Sequence, residues 1–367
     1  MTARVLVDAS NLRHGGGIQV AASFIDEIHR MLRDDVGPRW LDSTVLWPSS
    51  EVMANVVEPV SLPTTERFPS AVFDVAFSIF GPRYRPPRAM RTIMGFADGT
   101  LVYERPGSLP QPPMRHRARR LVRNALARRS FRAADLLVAE TDVVKSRVAG
   151  ALGLDSARIA VVPNCLSRAF LDSPVPRRDR LTLPGVDLTF CYVTRAYPHK
   201  NLGFLGSLGE RLSETHDIEI RTITTLRDEE WDGLDEQTRH YCHNIGPVDV
   251  GALRSVYSMV DAAIFPSLME SFSATPLEAM AAGIPLFAGD RDFVRTLCAD
   301  IPFYFDPEDA DSAASVIARA FRQGPPSWMP RVEGGIRRVE SMPSAEERAR
   351  AYLDLIGGQL KLVGHHE

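Results

Sequence analysis

No stretch of about eighteen consecutive apolar residues occurs in the sequence, so no segment is expected to span a bilayer. The chain starts MTARVLVDAS and enters a strand-like apolar run at once, without the charged, apolar and cleavage regions of a secretory leader. A cytoplasmic location is the expectation. Cysteine is scarce: Cys165, Cys191, Cys242 and Cys298 lie far apart and form no CxxC, which argues against a disulfide framework and for reduced thiols. His240, Cys242 and His243 crowd three ligand types into RHYCHN, but no second cluster completes a zinc site. A net charge of −3 gives no general affinity for nucleic acid, so any basic patch must be local. There is neither a short-period repeat nor a low-complexity tract.

What is present is the composition of a soluble globular protein, 44% hydrophobic and 24% charged. Its 367 residues exceed one ordinary core, which predicts two domains. Short apolar runs alternate with helical patterns. RVLVDAS (4–10) reads as a buried strand; Gly15, Gly16 and Gly17 follow; then residues 18–32 place Ile18, Ala21, Ala22, Ile25, Ile28 and Leu32 at helical spacing. Strand, glycine loop and helix open a βαβ unit. Further strands are expected at STVLWP, FDVAFSIF, RTIMGFAD, ADLLVAE and RIAVVP. Residues 171–185, rich in proline and arginine, read as a linker. The rhythm then restarts, with strands at LTFCYVT, IEIRTIT, DAAIFPS and IPLFAG and helices between them. The expectation is an α/β protein: a domain over 1–170, a linker over 171–185 and a second domain over 186–343. The last helix (344–360) is a candidate to pack back on the first domain.

Three stretches could carry chemistry. In ESFSATPLE (270–278), Pro276 suits a first helical turn, and Thr275 with Glu278 has the spacing of a capping box. Capping leaves Glu270 unexplained. Two carboxylates flanking an N–H-rich helix start would suit a ligand with both hydroxyls and phosphates. In TRAYPHKN (194–201), a strand-end Arg195 and a helix-start Lys200 could converge on a diphosphate, arginine as a fork and lysine as a point charge. They could equally be solvated loop charges. Residues 115–132 hold eight arginines and no acid, with Ala118, Leu121, Val122, Ala125 and Leu126 on one helical face. That is a basic amphipathic helix, either a solvated Rossmann helix or a reversible contact with an anionic membrane through Arg119, Arg120 and Arg123. Two Asp-x-Asp pairs, Asp290/Asp292 and Asp309/Asp311, fit ordinary turn chemistry, and no metal requirement is expected.

Taken together, TRAYPHKNLGFL, NIGPVD and VYSMVDAAIFPSLMESFSATPLEAMAAGIPLFAGD resemble the C-terminal domain of retaining glycosyltransferases of family 4. The resemblance covers most of residues 188–310. That family carries an arginine-x4-lysine pair and a glutamate-x7-glutamate motif, here Arg195/Lys200 and Glu270/Glu278. It implies the GT-B fold, two Rossmann-like domains facing across a cleft. It implies an enzyme of hexosyltransferase type that needs no cofactor or metal and takes a nucleotide-sugar donor. The acceptor would be a glycan or lipid-linked glycan of a bacterial surface polysaccharide, made in the cytoplasm or at the inner face of the membrane. Arg195 and Lys200 would bind the diphosphate, Glu270 the transferred sugar and Glu278 the ribose hydroxyls. The N–H groups of Phe272 and Ser273 would contact sugar or phosphate, and Gly15, Gly16 and Gly17 would face the donor. Asp98, in GFADGTLVYERPG, stands where the family often places His-Asp, but Ala97 replaces the histidine. Serines at 271 and 273 replace common glycines, a source of strain if either position needed positive φ. Two other readings stay open: a nucleotide-sugar epimerase of the same architecture, and a non-catalytic partner subunit.

Overall fold

A computed structural model describes residues 3–107, 109, 114–174 and 180–365. The chain forms two compact units. One comprises Met1–Glu104, Gln111–Ser167 and Pro343–Glu367; the other comprises Arg105–Pro110 and Arg168–Met342. Of the expected linker, residues 175–179 lie outside the described residues.

The first unit holds a six-stranded parallel sheet made of β1 (Val5–Ala9), β2 (Thr44–Pro48), β3 (Phe73–Ser78), β4 (Ala89–Gly95), β5 (Leu136–Ala139) and β6 (Ile159–Val161). The strand order is β2-β1-β3-β4-β5-β6. All five residues of β1 are buried, as a parallel strand covered on both faces requires. The chain steps from β1 to β2 on one side and returns to β3 on the other. This divergence at the β1/β3 junction is where open α/β sheets form a crevice beyond their carboxyl ends.

The helix Gly16–Arg33 starts right after β1. Gly15 caps it at φ 73°, a conformation that favours glycine, and no side chain caps its first turn. The C-terminal helix Ala345–Leu362 belongs to this unit. Its start is fixed by a capping box between Ser344 and Glu347. Its Tyr352 meets Phe24 of the first helix and Phe77 of β3, with ring centroids 5.4 and 5.1 Å away. Ala349, Leu353, Ile356 and Leu360 fill the same core.

The long basic helix spans Met114–Ala133. Its expected apolar face is not packed: Leu121, Val122 and Leu126 are 70%, 61% and 50% exposed. Only Ala127 and Phe131 are buried, so the helix docks by its C-terminal third. Leu121, Val122 and Leu126 of the expected apolar face are thus left uncovered by the described residues.

The second unit repeats the design with β7 (Leu188–Tyr192), β8 (Ile220–Thr224), β9 (Cys242–Asn244), β10 (Ala262–Phe265), β11 (Leu286–Gly289) and β12 (Phe303–Phe305). The order is β12-β11-β10-β7-β8-β9, all parallel, and the switch point falls between β7 and β10. The four cysteines are free and buried.

Candidate active site

The loop after β7 is pinned at several points. Tyr192 donates its hydroxyl hydrogen to the Lys200 carbonyl at 3.1 Å. A single 3-10 turn, Pro198–Lys200, ends at Asn201 with φ 59°, a left-handed position that asparagine tolerates. The Asn201 amide donates to the carbonyls of Pro266 (3.3 Å) and Pro307 (2.7 Å), tying this loop to those after β10 and β12. The loop that carries Arg195 and Lys200 thus has little freedom.

Lys200 reaches toward β10. Its Nζ lies 2.5 Å from Glu270 Oε1, and both side chains are largely buried. Glu270 also accepts the Ser267 hydroxyl at 2.8 Å. Adjacent strands at the switch point thereby supply one cation and one carboxylate.

Glu278 lies deeper, on the helix Ala274–Ala281. The capping box expected of Thr275 and Glu278 does not form. The helix begins two residues earlier, at Ala274, with Ser273 as an N-cap that makes no side-chain hydrogen bond. The Thr275 hydroxyl donates instead to the Val193 carbonyl at 3.1 Å. Glu278 Oε2 accepts from the Tyr257 hydroxyl at 3.0 Å. Pro276 remains in the first turn, where its missing N–H costs nothing. Burial pushes the Glu278 carboxyl up to about 7, against the opposing pull of the Tyr257 hydroxyl and of Lys200. Because Ser273 makes no side-chain cap, the N–H groups at Phe272 and Ser273 lead into a first turn without an N-cap hydrogen bond. Ser273 has φ −138°, and the non-glycine residues at positive φ among those described are Asp35, Asn201, Asp217 and Ala299. Serine in place of glycine at 271 and 273 therefore carries no strain.

Arg195 meets a partner that the sequence did not single out. Its Nε lies 3.0 and 2.9 Å from the two carboxylate oxygens of Glu230, in the loop region after β8. Burial works to raise the Glu230 pKa, but hydrogen bonds from Arg195, Arg227 N–H and Ala196 N–H outweigh it and hold the carboxyl below its usual range. Tyr257 and Glu230 were both missed. Glu230 sits in the acidic run RDEEWDGLDE, and Tyr257 reads as one more apolar helical position.

In the first unit, the β1/β3 junction holds a buried carboxylate. Asp8 accepts from Ser10 N–H (3.0 Å) and Ser10 Oγ (2.8 Å), and pairs with Arg83 Nε at 2.8 Å. Burial raises its pKa despite the neighbouring guanidinium. Gly15 and Gly16 stand beside open space, where an added Cβ would meet nothing within 4 Å. Asp98 caps a 3-10 turn by accepting from Thr100 N–H (3.1 Å) and its hydroxyl (2.6 Å). The Asp-x-Asp pairs are spoken for: Asp290 is gripped by Arg295, Asp309 caps a helix at Ser312, and Asp311 pairs with Arg211. His240 stacks edge-on with Tyr241, and Cys242 is buried in β9.

The second unit therefore gathers Lys200, Glu270 and Glu278 near one switch point, with Arg195 on the β8 side of the same loop. Residues 177–327 match the family described as Glycosyl transferases group 1. All four side chains fall inside this glycosyl transferases group 1 match. The O-antigen chain mannosyltransferase RfbU of Salmonella typhimurium is 22% identical over 213 residues, which cover 57% of this chain and 52% of that protein. The match thus spans about half the length of that curated relative. Among solved structures, sucrose-phosphate synthase from Thermosynechococcus elongatus superposes with a TM-score of 0.69 at 15% identity, covering 99% of this chain and all of the other. HepE of Anabaena, solved with UDP and glucose, gives 0.64 at 12% identity over 97% of this chain and all of HepE. The fold is GT-B.

Proposed function

We propose that this protein is a retaining, metal-independent glycosyltransferase of family 4. It would move a hexose from a nucleotide-sugar to a glycan or lipid-linked glycan acceptor in bacterial surface polysaccharide synthesis. The observation that carries the reading is the Lys200–Glu270 pair at the β7/β10 switch point with Glu278 buried beside it. A cation there can hold a diphosphate, while carboxylates accept hydroxyl hydrogens from sugar and ribose. The HepE complex places UDP and glucose on the same fold, and RfbU is named for O-antigen chains; both support the choice of donor and acceptor class.

In this mechanism, Lys200 and the terminal nitrogens of Arg195 stabilise negative charge on the departing diphosphate as the bond from sugar carbon to phosphate oxygen breaks. The acceptor oxygen bonds to the same face of that carbon, and its proton passes to the leaving phosphate oxygen. Glu270 orients the sugar, Glu278 the ribose, and the N–H groups of Phe272 and Ser273 meet sugar or phosphate oxygens. The roles that the family resemblance implies for Gly15, Gly16, Gly17 and Asp98 in the first unit are part of the same proposal. No metal is required because lysine and arginine supply the positive charge.

A thermal-shift screen of UDP-, GDP-, ADP- and dTDP-sugars identifies the donor, since a bound ligand stabilises the fold by mass action. With that donor, Lys200→Ala or Arg195→Ala is expected to raise the transfer barrier by roughly 2.7–4 kcal/mol, a loss of about 10²–10³ in turnover. Wild-type turnover in a folded double variant would sink the assignment, and loss of activity in a chelator would overturn the metal-independent mechanism.

The same reading places the enzyme against the inner face of a membrane. The helix Met114–Ala133 presents Arg119, Arg120 and Arg123 beside the exposed Leu121, Val122 and Leu126. Arginines would meet anionic headgroups, at about 1 kcal/mol each, and the apolar side chains would enter the interface. Flotation with anionic vesicles at moderate salt should carry the protein upward, and neutral vesicles should not. Absence of co-flotation would leave a solvated helix.

A further inference from the structure

The geometry points to Glu230 as a positioning residue: we infer that it holds Arg195 by its Nε so that the outer nitrogens of the guanidinium are set toward a diphosphate. This rests on the reading of Arg195 as a diphosphate ligand.

Both oxygens of Glu230 lie on one nitrogen, Arg195 Nε, at 3.0 and 2.9 Å. A carboxylate that competed with the diphosphate would take the fork end-on through Nη1 and Nη2. This one takes it from the side. Among the described residues Nη1 and Nη2 form no hydrogen bond, and the Arg195 side chain remains one-third exposed. The fixed internal anion thus takes the Nε side of the guanidinium and leaves the hydrogen-bonding capacity of Nη1 and Nη2 unused among the described residues.

The internal anion is itself fixed. Glu230 Oε1 accepts from Ala196 N–H at 3.2 Å, next to the arginine it holds. Its Oε2 accepts from Arg227 N–H at 3.0 Å, at the start of its own short helix. The carboxylate therefore bridges the loops after β7 and β8, which are adjacent strands in register from Leu188–Ile220 to Tyr192–Thr224. Its lowered pKa keeps it charged near neutrality. Lys200 is held in a parallel way from the opposite side, by Glu270 after β10. Each cation of TRAYPHK thus has a carboxylate from a neighbouring strand's loop. Glu270 shares the buried end of its pair with the proposed sugar site, whereas Glu230 has no ligand to touch and acts through Arg195.

The test is a double-mutant cycle on the full-length protein, read by calorimetric titration with whichever of UDP, GDP, ADP and dTDP stabilises the wild type most. Inorganic pyrophosphate serves as a second probe. Arg195→Ala should weaken binding by about tenfold or more, as loss of one charge-assisted contact does. Glu230→Ala and the gentler Glu230→Gln should each weaken it by about three- to tenfold, with unchanged melting temperature for Glu230→Gln. Glu230→Asp should recover part of the loss. In an Arg195→Ala background, Glu230→Ala should change nothing further, because the residue it positions is gone. Additive losses in the double variant would make Glu230 a support of the loop alone and overturn the inference, as would wild-type affinity in both single Glu230 variants. Tighter binding in Glu230→Gln would also overturn it, making the carboxylate a competitor. Wild-type affinity in Arg195→Ala would instead remove the diphosphate role of Arg195, and the inference with it.

Discussion

Glu278 holds a proton at a pH where an ordinary glutamate has lost it. The unfolded carboxyl releases it near 4.5, the folded one at about 7, with burial as the main cause. The folded state thus binds more protons than the unfolded state between those values. The contribution of Glu278 to stability is greatest below pH 4.5 and falls as pH rises through the window, by roughly 3 kcal/mol in all. Tyr257, Lys200 and Cys191 are the titratable groups coupled to it, and the first two favour its ionised form. Urea midpoints at pH 5 and pH 8 should converge in Glu278→Gln relative to wild type; an equal pH response in both would refute this. Ribose hydroxyls would favour the ionised form, so nucleotide binding should strengthen over the same window. The motif made Glu278 visible in the sequence, but its partner was not. Tyr257 lies 21 positions away, and no local pattern encodes a contact set by tertiary packing. Arg195 and Glu230, 35 positions apart, were hidden for the same reason.

At the scale of elements, hydrophobic rhythm exposed β1 to β8, β10 and β11. It missed β9 and β12, three-residue strands at the two edges of the second sheet, each with a single buried residue and no longer apolar run like the RIAVVP around β6 to mark it. It also missed the helix Pro325–Glu340, whose Pro330, Gly334 and Gly335 read as breakers. The structure explains Gly335. A Cβ there would lie 3.0 Å from Met280 Cγ and 3.1 Å from Met280 Cβ, on the helix that carries Glu278. The glycine permits a close approach of two helices. Gly335→Val should therefore cost about 1–3 kcal/mol through overpacking, measured by chemical denaturation, and Met280→Ala should relieve part of it. A neutral Gly335→Val would show that the helices separate freely.

At the scale of the whole molecule, the repeated strand–helix rhythm announced two α/β halves, and each sheet places its switch point beside the stretches singled out for chemistry: the glycine loop in one, TRAYPHKN and ESFSATPLE in the other. Sequence order says less about membership. Residues Pro343–Glu367 follow the second sheet yet complete the first unit. Tyr352, Leu353, Ile356 and Leu360 lie in its core. At about 1.5–3 kcal/mol for each buried side chain, their loss rivals a typical domain stability of roughly 5–15 kcal/mol. A chain ending at Met342 should lose protease resistance in the first unit while the second stays protected. Equal resistance of both would disprove the dependence.

The placement of the cysteines gives the molecule a built-in reporter. Cys165 is buried in the first unit, and Cys191, Cys242 and Cys298 are buried in the second. Burial also drives the thiols of Cys242 and Cys298 up to about 12, and raises that of Cys191 too, so little nucleophilic thiolate exists in the native state. Alkylation can then proceed only through openings of the fold. With each cysteine resolved by mass spectrometry, the labelling rate of Cys165 times the breathing of one unit, and the other three time that of its companion, without any engineered residue.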